Sequence, residues 1–155
     1  MQIMYDTNIL LQILRDEQSI TKLENFVDLS EVEDSVSISL VTLAEIRSLS
    51  IQFRWGAIRR AKMNEAIRRL TTLDINVPEI IDKYVKIDCY SKGKHLTRAS
   101  NFSSIKMGKN DLWIAATASV YECKLLTMDL DFGHLRDEFV DVVYITPSVF
   151  MSLGL

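Results

Sequence analysis

The chain has 155 residues, a formal net charge of −3, 48% hydrophobic and 25% charged residues, the profile of a single globular domain, 1–155, with enough mass for a proper core. No apolar run approaches the roughly 20 residues needed to cross a bilayer, and the N-terminus lacks a basic region followed by an apolar stretch, so neither a membrane span nor a secretory signal is expected. Cys89 and Cys123 match no metal-ligand spacing and make no disulfide framework, which fits free thiols in a reducing cytoplasm.

Residues 2–5 read as a short buried strand that Asp6-Thr7-Asn8 turns into a helix over 9–15. Ile20, Leu23, Phe26 and Val27 recur at helical spacing and predict a second helix. Residues 36–40, β-branched and apolar, predict a strand, after which Thr42 opens a long helix with Leu43, Ile46, Leu49 and Phe53 on its apolar stripe and a break at Gly56. Residues 73–77 predict a third strand stopped by Pro78, and Pro78-Glu79 a helix start. The stretch 93–108 has no apolar period and reads as a long loop, functional or mobile rather than idle. Asn110 caps a strongly apolar helix to about 121. A strand over 124–127, a helical turn over 131–135, a strand over 142–145 and a helix over 147–153 complete the chain. Strands alternating with helices predict a parallel sheet covered on both faces, with every strand-to-helix junction on one edge.

That edge matters because acids recur at the junctions: Asp6 after the first strand, Glu45 and Asp111 near helix starts, Asp129 and Asp131 after the fourth strand. Each has a structural explanation. Asp6 can cap a helix, Thr42-Leu43-Ala44-Glu45 fits a capping box, Asp111 gains from a helix dipole, and one of Asp129 and Asp131 can cap a turn. Jointly they place four or five carboxylates together, and unpaired carboxylates that close repel unless a divalent cation joins them. Basic residues concentrate elsewhere. From 46 to 73 they are Arg47, Arg54, Arg59, Arg60, Lys62, Arg68 and Arg69 against Glu65 alone; from 90 to 110 they are Lys92, Lys94, Arg98, Lys106 and Lys109 with no acid. A basic perimeter around an acidic site suits a phosphate polymer, although solvated surface alone explains either segment.

Four segments carry a family resemblance over essentially the whole length: Met4-Tyr5-Asp6-Thr7-Asn8-Ile9-Leu10, Val41-Thr42-Leu43-Ala44-Glu45-Ile46, Asn110-Asp111-Leu112-Trp113-Ile114-Ala115-Ala116-Thr117-Ala118, and Leu125-Leu126-Thr127-Met128-Asp129-Leu130-Asp131-Phe132. In this order they resemble a PIN domain, most closely the VapC-type toxin ribonucleases of toxin–antitoxin pairs. The resemblance implies a three-layer α/β/α fold on a five-stranded parallel sheet of order 3-2-1-4-5, a Mg²⁺- or Mn²⁺-dependent endoribonuclease, a homodimer, and inhibition by a cognate antitoxin. It assigns the metal-site acids to Asp6, Glu45, Asp111 and Asp129, with Asp131 an alternative to Asp129, and supporting roles to Asn8 and Thr127. Asp6, Asp111 and Asp129 are expected to hold metal directly, and Glu45 to bind through water or orient the nucleophile. RNA phosphates are expected on Arg47, Arg54, Lys94, Arg98, Lys106 and Lys109.

The rival readings carry less. Asp129-Leu130-Asp131 looks like the nucleophile motif of haloacid-dehalogenase phosphatases, but only residues 132–155 follow it. A response-regulator receiver needs a lysine after its last strand, and no lysine follows Lys124. A histidine-pair ribonuclease needs His95 and His134 at one phosphate. A PIN-type module that binds RNA or protein without cutting keeps all the motifs and differs only in turnover.

Overall fold

The structure is a computed structural model that describes residues 2–27 and 36–151. Its central strand, β1 (Gln2–Tyr5), is apolar on both faces: Met4 enters one core, Ile3 and Tyr5 the other. That is the pattern of a strand covered on two sides. Around it stand β2 (Val36–Ser39), β3 (Thr71–Leu73), β4 (Cys123–Thr127) and β5 (Asp141–Tyr144), all parallel, in the order β3-β2-β1-β4-β5. This is the expected PIN-like sheet. Tyr5 is in register with Ile38 on one side and Leu126 on the other, so β1, β2 and β4 end at the same level.

Helices α1 (Thr7–Arg15), α2 (Gln18–Phe26), α3 (Leu40–Gln52) and α4 (Ala57–Arg68) bury Ile9, Leu10, Leu23, Ile46 and Met63 against one face, joined by Phe150 of α7 (Ser148–Met151). Helices α5 (Pro78–Ser91) and α6 (Lys109–Val120) bury Ile80, Ile87, Leu112 and Ile114 against the other. Each such side chain removed from water contributes about 1.5–3 kcal/mol. A 3₁₀ helix, Leu130–Leu135, follows β4 and buries Phe132 and Leu135.

Some boundaries differ from the sequence expectation. Strand β3 is Thr71–Leu73, not 73–77; it is an edge strand with exposed threonines, and the apolar Ile75 and Val77 lie in the connection after it. Helix α3 starts at Leu40, ahead of Thr42, because Ser39 caps it by accepting from the Val41 N–H at 3.2 Å. Glu45 is therefore in the second turn and closes no capping box. Helix α6 starts at Lys109 with Gly108, not Asn110, at its N-cap. The part of the predicted helix over 147–153 that lies beyond Met151 falls outside the described residues.

The stretch 93–108 is irregular but anchored. It leaves α5 at Gly93 (φ 69°), where a Cβ would lie 2.7 Å from the Ser103 carbonyl oxygen, so the turn admits glycine alone. It returns to the same place: Ile105 N–H donates to the Ser91 carbonyl at 2.7 Å. Phe102 packs edge-on against Tyr90 and His134, each with centroids 5.3 Å apart. Phe102 is thus an anchor of the loop rather than an open stacking platform.

Candidate active site

Asp6 sits where β1 becomes α1 and is only 4% exposed. It does cap α1, accepting from the Thr7 N–H at 2.7 Å. Its second oxygen, Oδ2, accepts from the Thr127 hydroxyl at 2.6 Å and the Asn8 amide at 3.0 Å. Asn8 also reaches Thr127 (3.4 Å), and its own carbonyl takes the Met128 N–H at 3.1 Å. These bonds clamp the ends of β1 and β4 together around one carboxylate. They favour the charged form, yet burial prevails and raises the Asp6 pKa, with Glu45 and Asp129 adding to the rise.

Glu45 approaches from α3. Thr7 donates its hydroxyl to Glu45 Oε2, and the Asn110 amide donates to Oε1 at 2.7 Å. Both oxygens are therefore oriented by groups from other elements, α1 and α6. Thr7 was not among the sequence candidates, and Asn110 was read only as a cap; neither role has a signal in local sequence. Thr7 Oγ1 also lies 3.3 Å from Thr42 Oγ1, the hydroxyl that the capping-box reading had assigned to the helix start.

Asp111 is in the first turn of α6. Its pKa is raised to about 6, first by burial, then by the charges of Asp6, Asp129, Glu45 and Asp131. Gly108 makes room for it: a Cβ there would lie 2.9 Å from Asp111 Oδ2. Asp129 follows β4. Its side chain caps the 3₁₀ helix by accepting from the Asp131 N–H at 2.9 Å, while its own N–H donates to Thr127 Oγ1 at 3.0 Å. Asp131 is exposed and the last named of the charges acting on Asp111.

Five acids from four segments of the chain thus gather at the C-terminal edge of the sheet, and their charges add to the burial that raises Asp6 and Asp111. Among the described residues no group of three or more His, Cys, Asp or Glu side chains is arranged to hold a metal ion. The donor set is nonetheless that of a hard cation: carboxylate oxygens backed by the hydroxyls of Thr7 and Thr127 and the amides of Asn8 and Asn110. Mg²⁺ takes one or two carboxylates and keeps several waters, so it suits an open set better than a tight cage.

The histidines are placed elsewhere. His134 Nε2 bonds Ser91 Oγ at 2.7 Å and its ring stacks on Tyr90. His95 Nδ1 accepts from the N–H groups of Thr97 and Arg98. Both brace the 93–108 loop. The basic candidates divide likewise. Arg98 is held by Glu138 at 2.9 Å and lies over the Phe139 ring at 4.6 Å. Arg47, Arg54, Lys94, Lys106 and Lys109 are exposed and, among the described residues, make no ion pair. Lys62, Arg68 and Arg69 are paired to Glu17 and Glu65, and Arg59 covers Trp55 at 3.8 Å. Among the described residues no helix is long and apolar enough to cross a membrane.

The sequence pattern of the PIN domain matches residues 3–138. No curated protein matches the chain in sequence. Among solved structures it is similar to VapBC2 from Rickettsia felis bound to a promoter DNA fragment, with TM-score 0.70, 21% identity and coverage of 93% of this chain and 98% of that one. It is also similar to VapBC-1 from nontypeable Haemophilus influenzae, with TM-score 0.67, 22% identity and the same 93% and 98% coverage. DNA-bound VapBC from Salmonella typhimurium aligns with TM-score 0.62 at 19% identity, again over 93% and 98%. At such identities the likeness is one of fold.

Proposed function

Since the chain belongs to the PIN-domain family, we propose that it is a Mg²⁺- or Mn²⁺-dependent endoribonuclease and the toxin of a toxin–antitoxin pair, acting as a single domain in the cytoplasm. The observation that carries the reading is the gathering of acids from separate elements at one edge of the sheet, where Asp111 is raised to about 6 by burial and then by the charges of Asp6, Asp129, Glu45 and Asp131. A fold gains nothing from such crowding; a cation site does.

In this reading Asp6, Asp111 and Asp129 hold the metal, with Asp131 the alternative to Asp129. When bound, the ion neutralises charge on the scissile phosphate. The rest is done by the chain's own groups. Thr127 and Asn8 fix the Asp6 oxygens, so the site is set before substrate arrives. Glu45, gripped by Thr7 and Asn110, orients the attacking water and accepts its proton. Arg47, Arg54, Lys94, Lys106 and Lys109 bind flanking phosphates. Arg98, already paired with Glu138, contributes to the loop rather than to RNA. Hydrolysis by water leaves 5′-phosphate and 3′-hydroxyl ends and does not use the ribose 2′-OH.

The similarity to VapBC complexes supports an antitoxin protein as partner, and the working form in this proposal is a homodimer. The test is end-mapped cleavage of an RNA panel with Mg²⁺ and Mn²⁺ by wild type, Asp6→Asn and Glu45→Gln. Cleavage by wild type alone, with circular dichroism unchanged in the variants, is the expected result. Products ending in 2′,3′-cyclic phosphate, or no cleavage of any RNA, would refute it.

A further inference from the structure

A second feature adjoins the acidic edge. A cleft of about 640 Å³ runs between α3, α6 and the connection after β3, and Glu45 and Asn110 line both it and the acid site. Its walls are mostly apolar, with Val41 and Leu49 from α3, Ile75 from the connection and the indole of Trp113 from α6. Polar groups are few: Ser48 and Gln52 on one helical face, joined by a 2.8 Å bond from the Gln52 amide to Ser48 Oγ, and Asn110 at the shared end. The Trp113 ring is set by Tyr84, 4.5 Å away and tilted by 39°.

We propose that this cleft takes one unpaired nucleobase of the RNA strand, the base beside the scissile phosphate, and so sets sequence preference. The inference rests on the ribonuclease reading. Several observations favour a base over another occupant. The cleft has the size and apolar lining of a small-ligand site. It opens onto the carboxylates, so a base seated there keeps its own phosphate near them. The Asn110 amide gives one N–H to Glu45 and keeps its second N–H and its carbonyl, and the Gln52 amide gives one N–H to Ser48 and likewise keeps a donor and an acceptor. Such groups beside apolar walls suit the hydrogen-bonding edge of a base, and single-stranded RNA is read by this pairing of aromatic contact with edge hydrogen bonds. Asn110 thereby couples base to chemistry: the side chain that meets the base also orients Glu45.

The experiment uses the full chain and short single-stranded oligoribonucleotides: A-rich, C-rich and U-rich, plus an otherwise identical strand with one abasic position. Intrinsic tryptophan fluorescence reports Trp113, with Trp113→Phe as control, and cleavage is followed in parallel with Mn²⁺. Ser48 is exposed on α3, so Ser48→Met fills the cleft without removing a core contact or adding a fluorophore; Gln52→Leu keeps the cleft open and removes its polar end. The expected result is saturable quenching that differs among the A-, C- and U-rich strands, lost in Trp113→Phe and roughly 5- to 150-fold weaker in affinity for the abasic strand and for Ser48→Met, since stacking is worth roughly 1–3 kcal/mol per base. Gln52→Leu should narrow the difference among the three strands. Equal quenching by the abasic strand, or unchanged RNA affinity in Ser48→Met, overturns the proposal. So does light scattering in which Ser48→Met splits a dimer at unchanged RNA affinity, since the cleft then belongs to a second copy. Cleavage without base-dependent quenching sinks the base cleft and spares the nuclease; base-dependent quenching without cleavage does the reverse.

Discussion

Replacing Asp111 by asparagine should make the metal-free protein more stable while abolishing cleavage. Asp111 stands at about 6 where an ordinary aspartate stands at 3.8. At about 1.36 kcal/mol per tenfold shift, ionising it in the fold at neutral pH costs up to about 3 kcal/mol. The group is only partly buried and water screens it, so about 1–2 kcal/mol is the expected gain. For a domain of this size that raises Tm by about 2–8 °C. The sign with pH is fixed. An acid whose folded pKa is raised contributes stability that is complete below its unfolded pKa and disappears as pH rises through the folded one. The amide of Asp111→Asn mimics the protonated carboxyl. The variant's advantage should therefore be absent near pH 4, grow as pH rises from about 4 to about 6, and level off above. Excess Mg²⁺ should reverse the order at a pH of about 7.5: a ligand at roughly 100 times its Kd adds about 2.7 kcal/mol to wild type and, lacking the carboxylate, little to the variant. Urea or thermal melts in EDTA and in Mg²⁺ read all of this. An Asp111→Asn protein no more stable than wild type in EDTA above neutrality, or a gain that is the same in acid, refutes the crowding of acids on which the site rests.

Gly108→Ala should leave Tm nearly unchanged, because the atom it meets is the movable end of Asp111, while shifting that carboxylate enough to weaken Mg²⁺ binding and cleavage by roughly 10–100-fold; calorimetric titration and initial rates check it. Thr127→Val keeps the shape but leaves Asp6 Oδ2 and the Asp129 N–H short of a partner, so stability should fall by about 1–3 kcal/mol in urea melts. Asn110→Ala should lower kcat more than KM for Mg²⁺-dependent cleavage, since it releases Glu45 without touching the remaining acids. Phe102→Ala should speed amide hydrogen exchange across 93–108 with little effect on β1 or β4, because Phe102 pins that loop to Tyr90 and His134 rather than to the sheet.

Much of the architecture was legible in the order of residues alone. The buried run over 2–5 that ends at Asp6, the β-branched and apolar run over 36–40, and Pro78 at a helix start are local facts, and local propensity placed those elements within a residue or two. The acids were legible too, as side chains at strand-to-helix junctions that a right-handed parallel sheet must gather on one edge. What only the tertiary structure decided is which group each acid answers to. Capping chemistry and metal chemistry use the same carboxylates, so Thr42-Leu43-Ala44-Glu45 fitted a capping box until Ser39 took the cap and Thr7 and Asn110 took Glu45. Arg98, equal to its basic neighbours in sequence, is set apart by a glutamate 40 positions away. Hydrogen bonds and Coulomb forces act through space over a few ångströms, and the partners that settle these roles lie tens of residues apart along the chain.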